Sequence, residues 1–291
     1  MTDISKTTSG RSGGRAQRLK KRAAKPDINP CPPGQFGGMY KPLSQPDLEN
    51  IFDTALRLLS ELGMGEIPNR LRQDLLTAGA QDSEAGRVVF PRSLTEDAIA
   101  KAAKTFVLHG RDETRSIEVG GSKVYFGTGG AAVQTLDLDS GTYRPSTLAD
   151  LHNFTRLQDT LANVSWYTRC CVATDVPSNF DLDVNTAYAL LLNTTKPTAT
   201  SFTLAEYVAP IVKMLDIAAG GKGAFSKRPF MKAHISPVIS PMRYGEDAVD
   251  VVYECIKHNI PMSCITAAQA GATAPATMAG FLAQSLAETL A

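Results

Sequence analysis

No stretch of this sequence approaches the ~18 apolar residues that would cross a bilayer. No apolar core follows its basic start, as it would in a secretory signal. Cysteine is sparse. Cys31, Cys170, Cys171, Cys255 and Cys264 form no CxxC pair and their count is odd, so a disulfide framework is not expected and a reducing cytoplasm fits better. His109, His152, His234 and His258 are scattered, without zinc-site spacing, and no bound metal is expected. Neither charge sign dominates: 30 basic against 29 acidic residues give a net charge of +1. That balance speaks against a chain-wide role on nucleic acid or a membrane surface. There is no GxSxG elbow, and no phosphate loop ending in Gly-Lys-Ser/Thr.

What is present is 291 residues, 43% of them hydrophobic, enough for a sizeable core. Residues 1–35 are rich in Gly, Ser, Pro, Lys and Arg and lack periodicity, which predicts a flexible basic arm. Over residues 1–25, Lys6, Arg11, Arg15, Arg18, Lys20, Lys21, Arg22 and Lys25 stand against Asp3 alone. A solvated tail is the plainer reading, and contact with phosphates or a partner is the alternative.

Residues 36–115 read as a mainly helical N-terminal subdomain packed on the remainder of the chain. Ser44 and Asp47 bracket a helix start with Pro46 in the first turn, and Leu48, Ile51, Phe52, Ala55, Leu58, Leu59 and Leu62 come after it at helical spacing. Leu71, Leu75 and Leu76 mark a second helix, Val88 to Phe90 a short strand, and Ser93 the cap of a helix reaching about Lys104.

From residue 116 to 291 the pattern turns to strands. Ile117 to Val119 alternates, Val124 to Phe126 is the first strand of a new sheet, and Ala132 to Leu138 is extended before an Asp139-Ser140-Gly141 turn. Helices then alternate with strands. Helices are expected near 147–161, 182–192, 205–218, 246–257 and 276–291, and strands near 164–172, 197–202, 230–235 and 260–266. Alternation of this kind calls for a parallel sheet with helices outside it. The five strand–helix units fall three short of an eight-stranded barrel. The expectation is therefore an open α/β sheet or an incomplete barrel, and, for the incomplete barrel, an inactive and poorly soluble 291-residue chain with open strand edges.

In either architecture the site lies past the carboxyl ends of the strands. Those positions carry small and hydroxyl residues: Gly127, Thr128, Gly129 and Gly130 after the first strand, Thr200 and Ser201 after the third, Ser236 after the fourth, and Gln269, Gly271 and Thr273 after the fifth. Bare backbone of this kind admits close approach of a large ligand. Aromatics gather nearby, namely Tyr125, Phe126, Trp166, Tyr167, Phe202 and Tyr207, with Glu206 and Asp175 as acids. Aromatic faces beside a carboxylate hold a quaternary ammonium, which has no N–H to donate. Filling the core is the competing role for the same rings. His234, near the end of the fourth strand, is a candidate for acid–base work or for hydrogen-bonded packing. Cys170 and Cys171 are expected in a strand, facing opposite sides.

Several segments resemble the trimethylamine methyltransferase family. They are VYFGTGGAAVQTLDLDSGTYRPSTLADL at 124–151, DVPSNFDLDVNTAYALLLNTTKPTATSF at 175–202, SPMRYGEDA at 240–248 and AAQAGATAPATMAG at 267–280. The arm GGRAQRLKKR at 13–22 and GGMYKPLS at 37–44 are similar too. The resemblance implies a TIM barrel, of which residues 116–291 supply about five units. It implies transfer of a methyl group from a methylated amine, such as glycine betaine or trimethylamine, to cob(I)alamin carried by a separate corrinoid protein, with no metal bound by the chain itself. Members include pyrrolysine enzymes and homologues without it, and the pyrrolysine position falls beyond Ala291. The expected substrate is a quaternary amine of the glycine betaine type, bound by Tyr125, Phe126, Trp166, Tyr167, Phe202, Glu206, His234 and Gln269. The expected corrinoid contacts are Gly127 to Gly130, Thr200, Ser201, Ser236, Gly271 and Thr273. Neither nucleic acid nor membrane is an expected partner, and a homo-oligomer is left open. A non-catalytic protein binding quaternary amines or a partner is the alternative. A phosphate-handling barrel enzyme is a third reading, weakened by the lack of a phosphate motif.

Overall fold

The structure is a computed structural model describing Gly14, Gln17, Leu19 and residues 29–291. The basic side chains expected to form an arm, Lys6 to Lys25, lie outside the described residues. The chain divides into two compact units, Met1–Pro32 and Pro33–Ala291. In the first, the backbone N–H of Cys31 donates to Asn29 Oδ1.

The second unit opens with helices α1 (Gln45–Arg57), α2 (Asn69–Ala78) and α3 (Arg92–Lys101). Ser44 caps α1 in a reciprocal box with Asp47, satisfying two N–H groups that the first helical turn leaves free. A π-turn over Leu58–Leu62 carries α1 to Gly63. Helix α3 is capped by Pro91, not by Ser93. The Pro91 carbonyl accepts the N–H groups of Leu94 and Thr95, so proline holds the cap position and Ser93 falls inside the first turn.

Five parallel strands come next: β1 (Phe126–Gly127), β2 (Val164–Thr168), β3 (Thr198–Thr200), β4 (Met231–Ile235) and β5 (Met262–Cys264). They lie side by side in chain order, forming a parallel half-barrel. Helices α4 (Leu148–Thr160), α5 (Asn179–Asn193), α6 (Ala205–Ala218), α7 (Glu246–Lys257) and α8 (Met278–Leu290) alternate with them. Thr147 and Asp150 cap α4 as Ser44 and Asp47 cap α1. Helix α5 begins three residues before the expected Leu182 because Ser178 caps it against Asp181.

The first strand differs from the sequence expectation. Lys123–Val124 pairs antiparallel with Gln35–Phe36, and only Phe126–Gly127 joins the parallel sheet. The chain changes partners at Tyr125. The second strand ends at Thr168, so Cys170 and Cys171 sit in the loop after it, where Cys171 bridges to Ala132.

Two apolar clusters hold the unit together. In one, Tyr167, Met231, Ala233 and Ile235 of the sheet meet Leu151, Leu190, Ile211 and Leu215 of the helices. In the other, Ala55, Leu59, Met64 and Val88 pack with Val238, Tyr244, Val249 and Ala287. The first helical segment thus shares a core with α7 and α8 and lies in the same compact unit as the sheet. Among the described residues, no helix is long and apolar enough to cross a membrane.

Candidate functional site

Parallel register decides which side chains face the inside of the half-barrel. Thr168 pairs with Ala199 and Ala199 with Lys232, so these three form a row on one face. His234 pairs with Ser263 one step further toward the carboxyl ends. Tyr167, Thr198 and Met231 form a row on the other face, the one covered by helices. Trp166, two residues before Thr168, is on the concave side with Lys232.

That concave side is basic. Lys232 Nζ lies 4.6 Å from the Trp166 ring centroid and donates to Ser263 Oγ at 2.9 Å. Burial pushes the Lys232 ammonium below its ordinary pKa. His234 is also pushed down, first by burial and then by the charges of Lys232 and Arg169. Burial lowers Arg169 as well, with Asp183 pulling the other way. Asp183 is 1% exposed and accepts from the backbone N–H and the hydroxyl of Thr203, which fixes the loop after β3. Among the described residues, no carboxylate lies within ion-pair distance of Lys232 or Arg169.

The expected aromatic group does not come together. Tyr167 and Phe202 are buried in the core between sheet and helices, and the Tyr167 hydroxyl meets Cys170 Sγ at 3.1 Å. The face of Trp166 carries Lys232 instead of open space. Tyr125 is half-buried at the amino end of the sheet, in a cavity with Pro33, Arg115, Val164 and Lys196. Phe126, 67% exposed, pairs with Val164 at the same end. Glu206 is exposed in the first turn of α6, and Gln269 is exposed in the loop after β5. Of the eight expected substrate contacts, Trp166 and His234 stand on the concave side beside Lys232.

The expected cofactor contacts also separate into roles. Gly127 is packed against Trp166, leaving no room for a β-carbon. Thr128 Oγ1 donates to the Thr168 carbonyl at 2.7 Å and accepts its N–H at 3.0 Å, tying β1 to β2. Thr200 is fully buried on the helix side, in register with Ala233 and Met262. Ser236 Oγ donates to the Ile265 carbonyl at 2.9 Å, tying β4 to the residue after β5. Gly271 and Thr273 belong to a turn in which the Gln269 carbonyl accepts three N–H groups and Thr273 Oγ1 accepts the Gln269 N–H. Gly129 and Gly130 alone have open space where a β-carbon would stand. Ser201 is half-buried beside the end of β3.

Lys232 and Arg169 were not among the expected contacts. The signal for the first is legible in Met231-Lys232-Ala233-His234-Ile235, where Lys and His alternate with apolar residues and so share a face. An apolar cavity of about 330 Å³, lined by Val238, Val249, Ile265 and Ala291, lies on the helix side, away from this face.

The sequence model of the trimethylamine methyltransferase family matches residues 11–291. Trimethylamine methyltransferase MttB of Desulfitobacterium hafniense is 28% identical over 82% of this chain and 48% of its own length. A glycine betaine methyltransferase of Desulfitobacterium hafniense is 25% identical over 89% of this chain and 53% of its own length. An L-carnitine:corrinoid methyltransferase of Eubacterium limosum is 26% identical over 84% and 51%. The chain therefore spans about half the length of the curated relatives it matches. With the parallel half-barrel in place and the match running from residue 11 to residue 291, the chain belongs to the trimethylamine methyltransferase family.

Proposed function

We propose that the protein moves a methyl group from a methylated amine, of the quaternary betaine type, to the corrinoid of a separate protein. The observation that carries this reading is the family match over residues 11–291. Relatives named for glycine betaine and for carnitine support the quaternary substrate. The corrinoid, as acceptor, supplies the nucleophile that takes the methyl group. The C–N bond breaks with its electron pair on nitrogen, and a quaternary ammonium leaves as a neutral amine. No proton has to be delivered, so the chain's contribution is position and electrostatics.

The rim at the carboxyl ends of the strands suits that task. Gly129 and Gly130 offer bare backbone to a broad, flat group. Ser201 and the turn around Gly271 and Thr273 continue the same rim beyond β3 and β5. A cytoplasmic location belongs to the same reading, and the cysteines, all free, agree with it.

The test is an assay of the protein encoded by the full reading frame with cob(I)alamin, free or protein-bound, and glycine betaine, carnitine or trimethylamine in turn. Demethylation of a quaternary amine with matching consumption of cob(I)alamin is expected. Binding of the amines without any demethylation would reject the reading in favour of a non-catalytic binding protein.

A further inference from the structure

We propose that the concave face of the half-barrel is a carboxylate-binding site, formed by Lys232 and His234 with Thr168 in the same row. The methylated substrate is then a zwitterion whose carboxylate points into the half-barrel and whose ammonium points to the rim. The identity of the ligand rests on the methyltransferase reading, whereas the anion site rests on its own geometry.

Lys232 and His234 stand two residues apart on β4 and share the inner face. The Lys232 ammonium is oriented by the Ser263 hydroxyl and the Trp166 ring, neither of which neutralises it. Asp183, the acid whose field reaches Arg169, is engaged by Thr203. Lys232 and His234 are half-buried, and a cation partly withdrawn from water without a counter-charge is costly, while the same surroundings strengthen its pull on an anion. Two further atoms wait for a partner among the described residues. His234 Nδ1 is buried and unbonded, and so is the hydroxyl oxygen of Thr168, a residue with 0% exposure in the same row as Lys232. Ala199, between Thr168 and Lys232 in that row, has only a methyl group.

A carboxylate fits this arrangement because it offers several acceptor positions on two oxygens. The ammonium salt bridge is a strong one when desolvated, and a hydroxyl or imidazole N–H serves the second oxygen. The same cations repel a trimethylammonium group. They turn it toward the carboxyl ends of the strands, where Gly129 and Gly130 leave the backbone open. Trp166, occupied by Lys232, is then a positioning residue for that ammonium and not a wall of the substrate's cation site.

The test is calorimetric binding to the protein encoded by the full reading frame. Its probes are glycine betaine, choline and 3,3-dimethylbutanoate. Choline keeps the trimethylammonium but replaces the carboxylate by a hydroxyl, and 3,3-dimethylbutanoate keeps the carboxylate but replaces nitrogen by carbon. Glycine betaine is expected to bind at least about tenfold more tightly than choline, the scale of one charge-assisted contact. Lys232→Met should remove that preference by weakening glycine betaine alone, and Lys232→Arg should largely keep it. Equal affinity for glycine betaine and choline in the unaltered protein overturns the proposal, and this comparison needs no variant to fold. So does a Lys232→Met protein, folded by circular dichroism, that weakens both ligands alike. Binding of 3,3-dimethylbutanoate with no demethylation of any amine would keep the site and remove the methyltransferase reading. Demethylation of amines with no preference for a carboxylate would do the reverse.

Discussion

A β-carbon on Gly127 would stand 2.1 Å from Cε2 of Trp166, so β1 and the chain's single tryptophan fit together only because Gly127 has no side chain. Gly127→Ala is expected to cost about 1–3 kcal/mol through overpacking and to shift the indole away from Lys232. A thermal melt and the Trp166 emission check both parts. An unchanged melt with unchanged emission contradicts the packing described.

Gly129, two residues on, has nothing within 4 Å of its β position. Gly129→Val is expected to leave stability within about 0.5 kcal/mol and to raise the KM for the corrinoid protein in the protein from the full reading frame. A lowered melting temperature with intact methyl transfer would count against the proposed docking role.

Much of the fold was legible because hydrophobic spacing and caps act locally. Helices α6 and α7 start and end where the periodicity puts them, and Ser44 with Asp47 caps α1 as their spacing implies. The half-barrel followed from the alternation of strand and helix. What the sequence concealed was partnership at a distance. Nothing local to Val124 says that it pairs with Gln35 and not with the parallel sheet. The site was less legible than the fold, because residue type at a strand end does not reveal which face it serves. Tyr167 and Phe202 join the core, while Lys232 takes the face of Trp166. The period of two over Met231–Ile235 held that information.

Arg144 clamps Asp150 with two hydrogen bonds, at 2.7 and 2.9 Å, at the start of α4, and also meets Asp137. The Arg144 guanidinium holds the Asp150 carboxyl well below the ordinary carboxylate range, and the Ser140 N–H, with Arg144, holds Asp137 down to about 2. A depressed carboxylate stabilises the fold above its unfolded pKa of ~3.9 and loses that contribution as pH falls through its folded value. Asp150→Asn is therefore expected to cost about 1–2 kcal/mol near neutral pH, through the lost box and ion pair. Denaturant titrations should show this difference shrinking as pH drops below ~4. A difference that stays constant from pH 7 to pH 2 would contradict the assignment.

Cys170 is half-buried and meets both Cys171 and the Tyr167 hydroxyl, which together draw its thiol below the ordinary cysteine pKa. Burial pushes Cys255 up to about 12 and raises Cys264 although that residue is more exposed. Because the thiolate is the nucleophile, iodoacetamide at pH 8 is expected to label Cys170 before Cys264 and to leave Cys255 unmodified in the native protein. Peptide mass spectrometry reads the order directly, and faster labelling of Cys264 would refute it. Tyr167→Phe, which removes one donor, should slow Cys170 labelling.

The proposed reaction transfers an N-methyl group from a betaine to a corrinoid. Its most direct measurement uses glycine betaine carrying isotopic label in its methyl groups, the protein from the full reading frame, and cob(I)alamin. Labelled methylcobalamin and dimethylglycine are expected in equal amounts, both rising with protein concentration. Glycine betaine, carnitine and trimethylamine all recovered intact, with no label on the corrinoid, would contradict it.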